Sequence, residues 1–284
     1  MATFYNQATL LYNGRAVNSN VTTGEIVDTV AMSKTVISTG YHAGGTVTYV
    51  ISLTNGGTAE AAALTLTDDL AAYTIGTGSV TPLDYIDGTL RYYLGGVEQP
   101  TPTVTAGPPL TVSGITVPAG GNAIIVYEAR ANGYAPLEAG SSLTNTATLT
   151  GAALCETVTD SAAVSVISEA VLSITKTVSP DTVTCNGTLT YTFIIQNTGN
   201  TAVLATDDLT VTDTFEPILS DITVTLDGTV LTAGADYTYD STTGVFSTLP
   251  GQITVPAATY TQDAATGLIT TTPGVTVLTV SGGV

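Results

Sequence analysis

Two lysines, two aspartates and two asparagines in this chain fall where they could make covalent bonds. Lys34 and Lys176 are its only lysines, and each lies in a run that alternates apolar and polar residues, VAMSKTV and LSITKTV. Side chains two apart along a strand share a face. Lys34 therefore goes with Val30, Met32 and Val36, and Lys176 with Leu172, Ile174 and Val178. The same parity puts Asp68 with Leu64, Leu66 and Leu70, and Asp213 with Leu209, Val211 and Phe215. It puts Asn145 with Leu143, Ala147 and Leu149, and Asn6 with Phe4, Ala8 and Leu10. An unpaired ammonium on an apolar face is costly. Burial lowers an amine's pKa and raises a carboxyl's. The outcome is a neutral, nucleophilic amine beside a carboxyl that can hydrogen-bond an asparagine carbonyl. The amine attacks the amide carbon, the carboxyl shuttles protons, and ammonia leaves. The product is a Lys–Asn isopeptide bond, made once per site, with Asp68 and Asp213 assisting. A plain buried Lys–Asp ion pair, with the asparagine a strand-end hydrogen bonder, is the competing reading of the same residues.

These positions require strands to hold them, and an internal repeat supplies the strands. GTVTYVISLTNGGT (45–58) matches GTLTYTFIIQNTGN (187–200), LTLTDDL (64–70) matches LTVTDTF (209–215), and GITVPAG (114–120) matches QITVPAA (252–258). Each segment alternates as a half-buried strand does. Thr, Val, Ala and Gly dominate, with turn residues between the runs and no helical stretch. The expected fold is all-β, two tandem immunoglobulin-like β-sandwiches with an N-terminal donor strand. One segment is displaced. SSLTNTATLTG (141–151) ends the first repeat, and its counterpart in the second would fall beyond Val284. The matching segment is TFYNQATLLYNG (3–14), where Asn6-Gln-Ala-Thr-Leu parallels Asn145-Thr-Ala-Thr-Leu. The spacing agrees: Asn6 precedes Lys34 by 28 residues and Asn145 precedes Lys176 by 31. The chain divides accordingly into a donor strand and linker (1–28), a complete repeat (29–165) and a repeat lacking its last strand (166–284). An open edge of this kind is normally covered. Strand addition from a neighbour, with Phe4, Ala8 and Leu10 filling the groove beside Asn6, would cover it and propagate head to tail as a homopolymer.

The pattern TKTVSP, then YTFIIQNTGN, then VTDT, then NTATL resembles the bacterial surface repeat called domain of unknown function eleven. The resemblance covers nearly the whole chain. It implies an immunoglobulin-like sandwich in cell-envelope proteins, adhesins and, in some clostridia, spore appendages. It also implies that Lys34, Asp68 and Asn145, and separately Lys176 and Asp213, occupy cross-linking positions. The permuted final strand departs from the family, so the second asparagine is not assigned to the same domain.

Composition narrows the alternatives. A net charge of -18 makes nucleic acid and anionic membrane poor partners. No apolar run is long enough for a membrane span. One histidine, His42, leaves no histidine-based metal site or catalytic triad, and no cofactor is expected. The paired TDD runs (67–69 and 206–208) lack an EF-hand spacing and read as loop acids. Tyr92 and Tyr93 read as packing rather than a sugar platform. Cys155 and Cys185 could bridge, which needs Cα atoms within about 7 Å, although burial as small apolar residues is the default. The N-terminus has neither the basic nor the apolar region of a secretory signal, so delivery to an extracellular or spore surface would follow another route or an earlier cleavage. A filament subunit fits these features better than a monomeric adhesin, which predicts an aromatic or acidic groove, or a hydrolase, which needs acids on exposed loops.

Overall fold

In the computed structural model, residues 2–26 and 29–284 are described; the end of the expected linker, residues 27–28, lies outside them. The chain is all-β, in tandem sandwiches. It divides into two compact units, one mainly of residues up to Pro136 with Ser142–Ser165, the other mainly of Val166–Asp263 with Leu268–Val284.

Residues 2–26 form a two-part antiparallel hairpin. Strand β1 (Ala2–Asn6) pairs with β4 (Thr22–Ile26), and β2 (Thr9–Tyr12) pairs with β3 (Arg15–Asn18). The turn is Asn13-Gly14, both at positive φ, as a tight hairpin turn demands. The expected single donor strand over 3–14 therefore stops at Tyr12, and the chain folds back on it.

The first sandwich opens with β5 (Val30–Val36), β6 (Thr46–Asn55) and β7 (Ala61–Asp68). Short strands follow: β8 (Tyr73–Ile75), β9 (Gly78–Val80), β10 (Leu83–Tyr85), β11 (Arg91–Leu94), β12 (Val97–Gln99) and β13 (Thr103–Thr105). Four long ones close it: β14 (Leu110–Val117), β15 (Asn122–Ala131), β16 (Ser142–Thr150) and β17 (Val158–Ser165). One sheet runs β12-β11-β15-β6-β5, with β10 also on β15, and the other runs β13-β14-β7-β16-β17. Alternation decides which faces pack. Along β6, Val47, Tyr49, Ile51 and Leu53 are fully buried, and Leu64 and Leu66 of β7 are too.

The second unit has a sheet made of β18 (Leu172–Ser179), β19 (Thr188–Asn197), β21 (Ser220–Leu226), β22 (Thr229–Val230) and β27 (Gly274–Gly283), in the order β18-β19-β27-β21-β22. A smaller sheet joins β20 (Thr212–Thr214), β24 (Val245–Thr248) and β23 (Tyr237–Tyr239), and β25 (Thr259–Gln262) pairs with β26 (Ile269–Thr272). The repeated motif ending β6 and β19 is a clamp. Asn55 Oδ1 accepts from Gly57 N, and its Nδ2 donates to Ala59 O and Val117 O. Asn197 repeats this with Gly199 N, Thr201 O and Pro256 O. Both side chains are buried and tie the strand end to the ITVP segment. A Cβ on Gly199 would meet Glu169 O at 2.2 Å, so only glycine fits there.

Strand β17 and the hairpin β16–β17 have no counterpart among the described residues of the second unit. There β18 forms the open edge, and all its residues are exposed. Lys176 faces Asp213, but the burial expected for Leu172, Ile174, Lys176 and Val178 does not occur, because β18 lies at the sheet edge and no described strand packs over it.

Candidate functional site

In the first unit, β5 brings Lys34, β7 brings Asp68, and β16 brings Asn145 into one buried cluster. β7 and β16 are adjacent, with Asp68 opposite Ala147, so Asn145 lies one inward position further along. Lys34 Nζ donates to Asp68 Oδ2 at 2.5 Å, and both side chains are 0% exposed. Burial holds the Lys34 pKa below the usual lysine value, even though Asp68 pulls it the other way.

Two tyrosines that sequence patterning did not single out complete the cluster. Tyr127 on β15 donates its hydroxyl to Asp68 Oδ2 at 2.5 Å and accepts from Asn145 Nδ2 at 2.9 Å. Burial, reinforced by the Asp68 charge, pushes its pKa well up, so the phenol stays protonated. Tyr127 thus bridges the carboxylate to the amide nitrogen that would leave. Tyr49 on β6 faces Tyr127 in register and stacks on it, with ring centroids 5.5 Å apart. Its ring lies 4.9 Å from Lys34 Nζ.

Backbone groups finish the site. Leu70 and Ala71 follow β7 in the left-handed region, φ 54° and 60°. That conformation is strained for residues with a side chain. It turns Leu70 N–H onto Asp68 Oδ1 at 3.0 Å and Ala71 N–H onto Asn145 Oδ1 at 3.2 Å. The Ala71 N–H is shared between Asp69 Oδ1 at 2.9 Å and Asn145 Oδ1, the oxygen on which negative charge would develop during attack at Asn145 Cγ. Neighbouring Asp69 accepts from Ala71 N and Thr146 N, which gives this half of the TDD run a structural task.

The Tyr49 hydroxyl is buried and makes no hydrogen bond of normal geometry, although Asn145 is near enough to offset part of its raised pKa. An unpaired buried hydroxyl costs about 1–3 kcal/mol. Tyr49→Phe keeps the ring beside Lys34 and removes that cost. It is expected to leave the thermal midpoint unchanged or raise it by a few degrees, as measured by calorimetry.

The second unit holds half of the arrangement. Lys176 on β18 donates to Asp213 on β20, but their side chains are 40% and 18% exposed. The ammonium lies against the rings of Tyr191, Phe193 and Phe215. Tyr191 occupies the place of Tyr49, and the residue opposite it is Val280 where Tyr127 faces Tyr49. Asp213 Oδ1 accepts from Thr214 N. Asn6 lies on β1 of the hairpin, exposed, as are Phe4, Ala8 and Leu10.

Elsewhere, Tyr92 is buried and its hydroxyl is bonded to Thr116 O and N. Cys155 and Cys185 are both exposed and not disulfide-bonded. Their expected burial as small apolar residues does not occur, because both fall in turns outside the strands. Among the described residues, no helix is long and apolar enough to cross a membrane.

No family model matches this chain, and no curated protein matches it either. Solved structures overlap it weakly. The pilus backbone RrgB from Streptococcus pneumoniae matches 86% of this chain and 55% of its own, at 12% identity and TM-score 0.33. The major pilin SpaD from Corynebacterium diphtheriae matches 85% and 58%, at 12% and 0.35. A family 123 glycoside hydrolase from Clostridium perfringens matches 49% and 27%, at 10% and 0.32. The chain spans less than two thirds of the length of each of these three proteins. Unrelated roles share β-sandwich architecture, so overlap of this kind assigns none of them.

Proposed function

We propose that this chain is a structural subunit of a filament on an extracellular or spore surface. Subunits join head to tail when the N-terminal strand of one completes the second unit of the next. Lys–Asn isopeptide bonds then lock both the first unit and the joint. The observation that carries this reading is the contrast between the two Lys–Asp pairs. One is sealed beneath the strand bearing Asn145; the other stands open, while an exposed strand elsewhere presents Asn6 in the same local sequence. The chain's only two lysines are spent on these two sites.

The chemistry balances without any added reactant. Asp68 takes a proton from the Lys34 ammonium, and the neutral amine forms a bond from Nζ to Asn145 Cγ. The Ala71 N–H stabilises the oxyanion. The Cγ–Nδ2 bond then breaks as Tyr127 gives its proton to the departing nitrogen and recovers one from Asp68. Ammonia leaves with the remaining proton as ammonium. Because a phenolate is disfavoured here, the two proton transfers through Tyr127 are concerted.

Concentrated protein is expected to give filaments in negative stain and a ladder of multimers after boiling in detergent and reductant. Asn6→Ala should leave filaments that fall to monomers under the same treatment, since the strand still docks but has no amide to trap. A wild-type sample that stays monomeric at high concentration, with its first residues open to protease, overturns the proposal.

A further inference from the structure

The N-terminal hairpin resembles the β16–β17 hairpin pair by pair. Across β16 and β17, Leu143 faces Val164, Asn145 faces Ala162, Ala147 faces Asp160, and Leu149 faces Val158. In the N-terminal hairpin, Phe4 faces Gly24 and Asn6 faces Thr22. Ala8 exchanges backbone and side-chain bonds with Ser19, and Leu10 faces Val17. The volumes complement as well as the order. Where β16–β17 has two medium side chains, Leu143 and Val164, the hairpin has Phe4 laid over Gly24, and a Cβ on Gly24 would meet the Phe4 ring at 2.4 Å. One bulge, between the Asn6 and Ala8 pairs, separates the two patterns. The burial states are opposite. Leu143, Asn145, Ala147, Leu149, Ala162 and Val164 are buried, whereas Phe4, Leu10 and Val17 are 52%, 67% and 62% exposed.

In the first unit, both strands of β16–β17 do necessary work. β16 pairs with β7. β17 seals β5 and the segment that follows it: Asp160 Oδ2 accepts from Lys34 N of β5 at 2.7 Å, and Ser165 O accepts from Tyr41 N, beyond β5, at 3.0 Å. A single donated strand would cover the Asp213 side of the second unit and leave β18 open. Its exposed Leu172, Ile174 and Val178 would stay wet.

We propose that the donated element is the whole hairpin, residues 2–26, and that it seats on the second unit of another copy of this chain as β16–β17 seats in the first. β1–β2 takes the place of β16, and β3–β4 lies along β18 in the place of β17. Val17 then stands where Val158 does, and the Phe4–Gly24 pair where Leu143–Val164 does. This rests on the donor reading above and specifies what is donated.

Hydrogen exchange read by mass spectrometry on full-length subunits and on assembled filaments tests it. Residues 3–12, 15–25 and 172–179 are all expected to exchange at least a hundredfold more slowly in filaments. Val17→Asp and Leu10→Asp should each slow assembly tenfold or more. Protection confined to 3–12 and 172–179, with Val17→Asp assembling normally, would overturn the hairpin while leaving strand donation intact. Filaments with no protection in 3–12, or no filaments at all, would overturn both. A protected hairpin in a monomer would show docking within one chain and overturn the joint between copies.

Discussion

Removing residues 1–14 is expected to abolish filaments while both sandwiches stay folded. The segment's described side chains contribute nothing to either buried core: all of them are exposed, including Phe4, Tyr5, Leu10, Leu11 and Tyr12. Losing it therefore costs the subunit little stability and mainly removes exposed apolar surface. Assembly loses far more. Fully burying side chains of this size contributes roughly 1.5–3 kcal/mol each. Two of them, Phe4 and Leu10, together contribute roughly 3–6 kcal/mol, a large share of the roughly 8 kcal/mol of a micromolar association. A joint weakened by that amount does not propagate at any practical concentration. Sedimentation velocity and negative stain check the assembly, and far-ultraviolet circular dichroism checks that the sandwiches remain. Filaments of normal length from the truncated protein would remove strand donation from consideration.

How far the site could be read from sequence depended on whether each contribution has a side-chain signal in its own strand. Lys34 and Asp68 were legible because a charge at an inward parity position breaks the alternation that surrounds it. Asn145 was legible because Asn6 repeats its local sequence. Tyr127 was not, because an aromatic in NAIIVYEARA is an ordinary core residue, and its role emerges only when β15 pairs with β6 and sets it against Tyr49. The Ala71 N–H had no signal at all, since it depends on two left-handed residues after β7. The hairpin was a different case. Asn13-Gly14 between TLLY and RAVN is a strong two-residue turn signal. The match of 3–14 to NTATL points to one strand there, and the turn at Asn13-Gly14 prevails in the fold. The open Lys176 shows the opposite limit: parity tells which face a side chain takes, and only tertiary structure tells whether anything covers that face.

The first unit is expected to carry a Lys34–Asn145 bond soon after folding, and Asp68 and Tyr127 should control it at different levels. The intact mass should fall by one ammonia, and peptide mapping should find the two strands joined. Asp68→Ala removes the proton acceptor and leaves Lys34 buried without a counter-charge. Breaking a buried pair in this way costs about 3–5 kcal/mol. The bond should be absent and the fold much weakened. Asn145→Ala isolates the bond from the ion pair. Closing a loop of roughly a hundred residues stabilises by about 4–5 kcal/mol on a chain-entropy model. At about 2–5 °C per kcal/mol for a domain of this size, its melting temperature should fall by about 10–20 °C. Tyr127→Phe keeps the ring stacked on Tyr49 but breaks the path from Asp68 to the leaving nitrogen. General-acid steps are worth about a hundredfold or more, so the bond should form that much more slowly in refolded protein and still reach completion. The pH dependence follows from proton count. The reactive form, neutral amine with protonated carboxyl, carries the same number of protons as the ion pair. The rate should therefore be flat across neutral pH. It should fall on the alkaline side, where the shared proton is lost, and the fall should begin below the ordinary lysine value of 10.5 because burial lowers Lys34. The second site has Val280 where Tyr127 would stand, and Asp213 lacks the paired left-handed amides. Once a hairpin has docked, the joint between subunits should therefore close more slowly than the bond within the first unit. A time course of the two cross-links in one refolding reaction orders them, and a joint that closed first would overturn the role given to Tyr127.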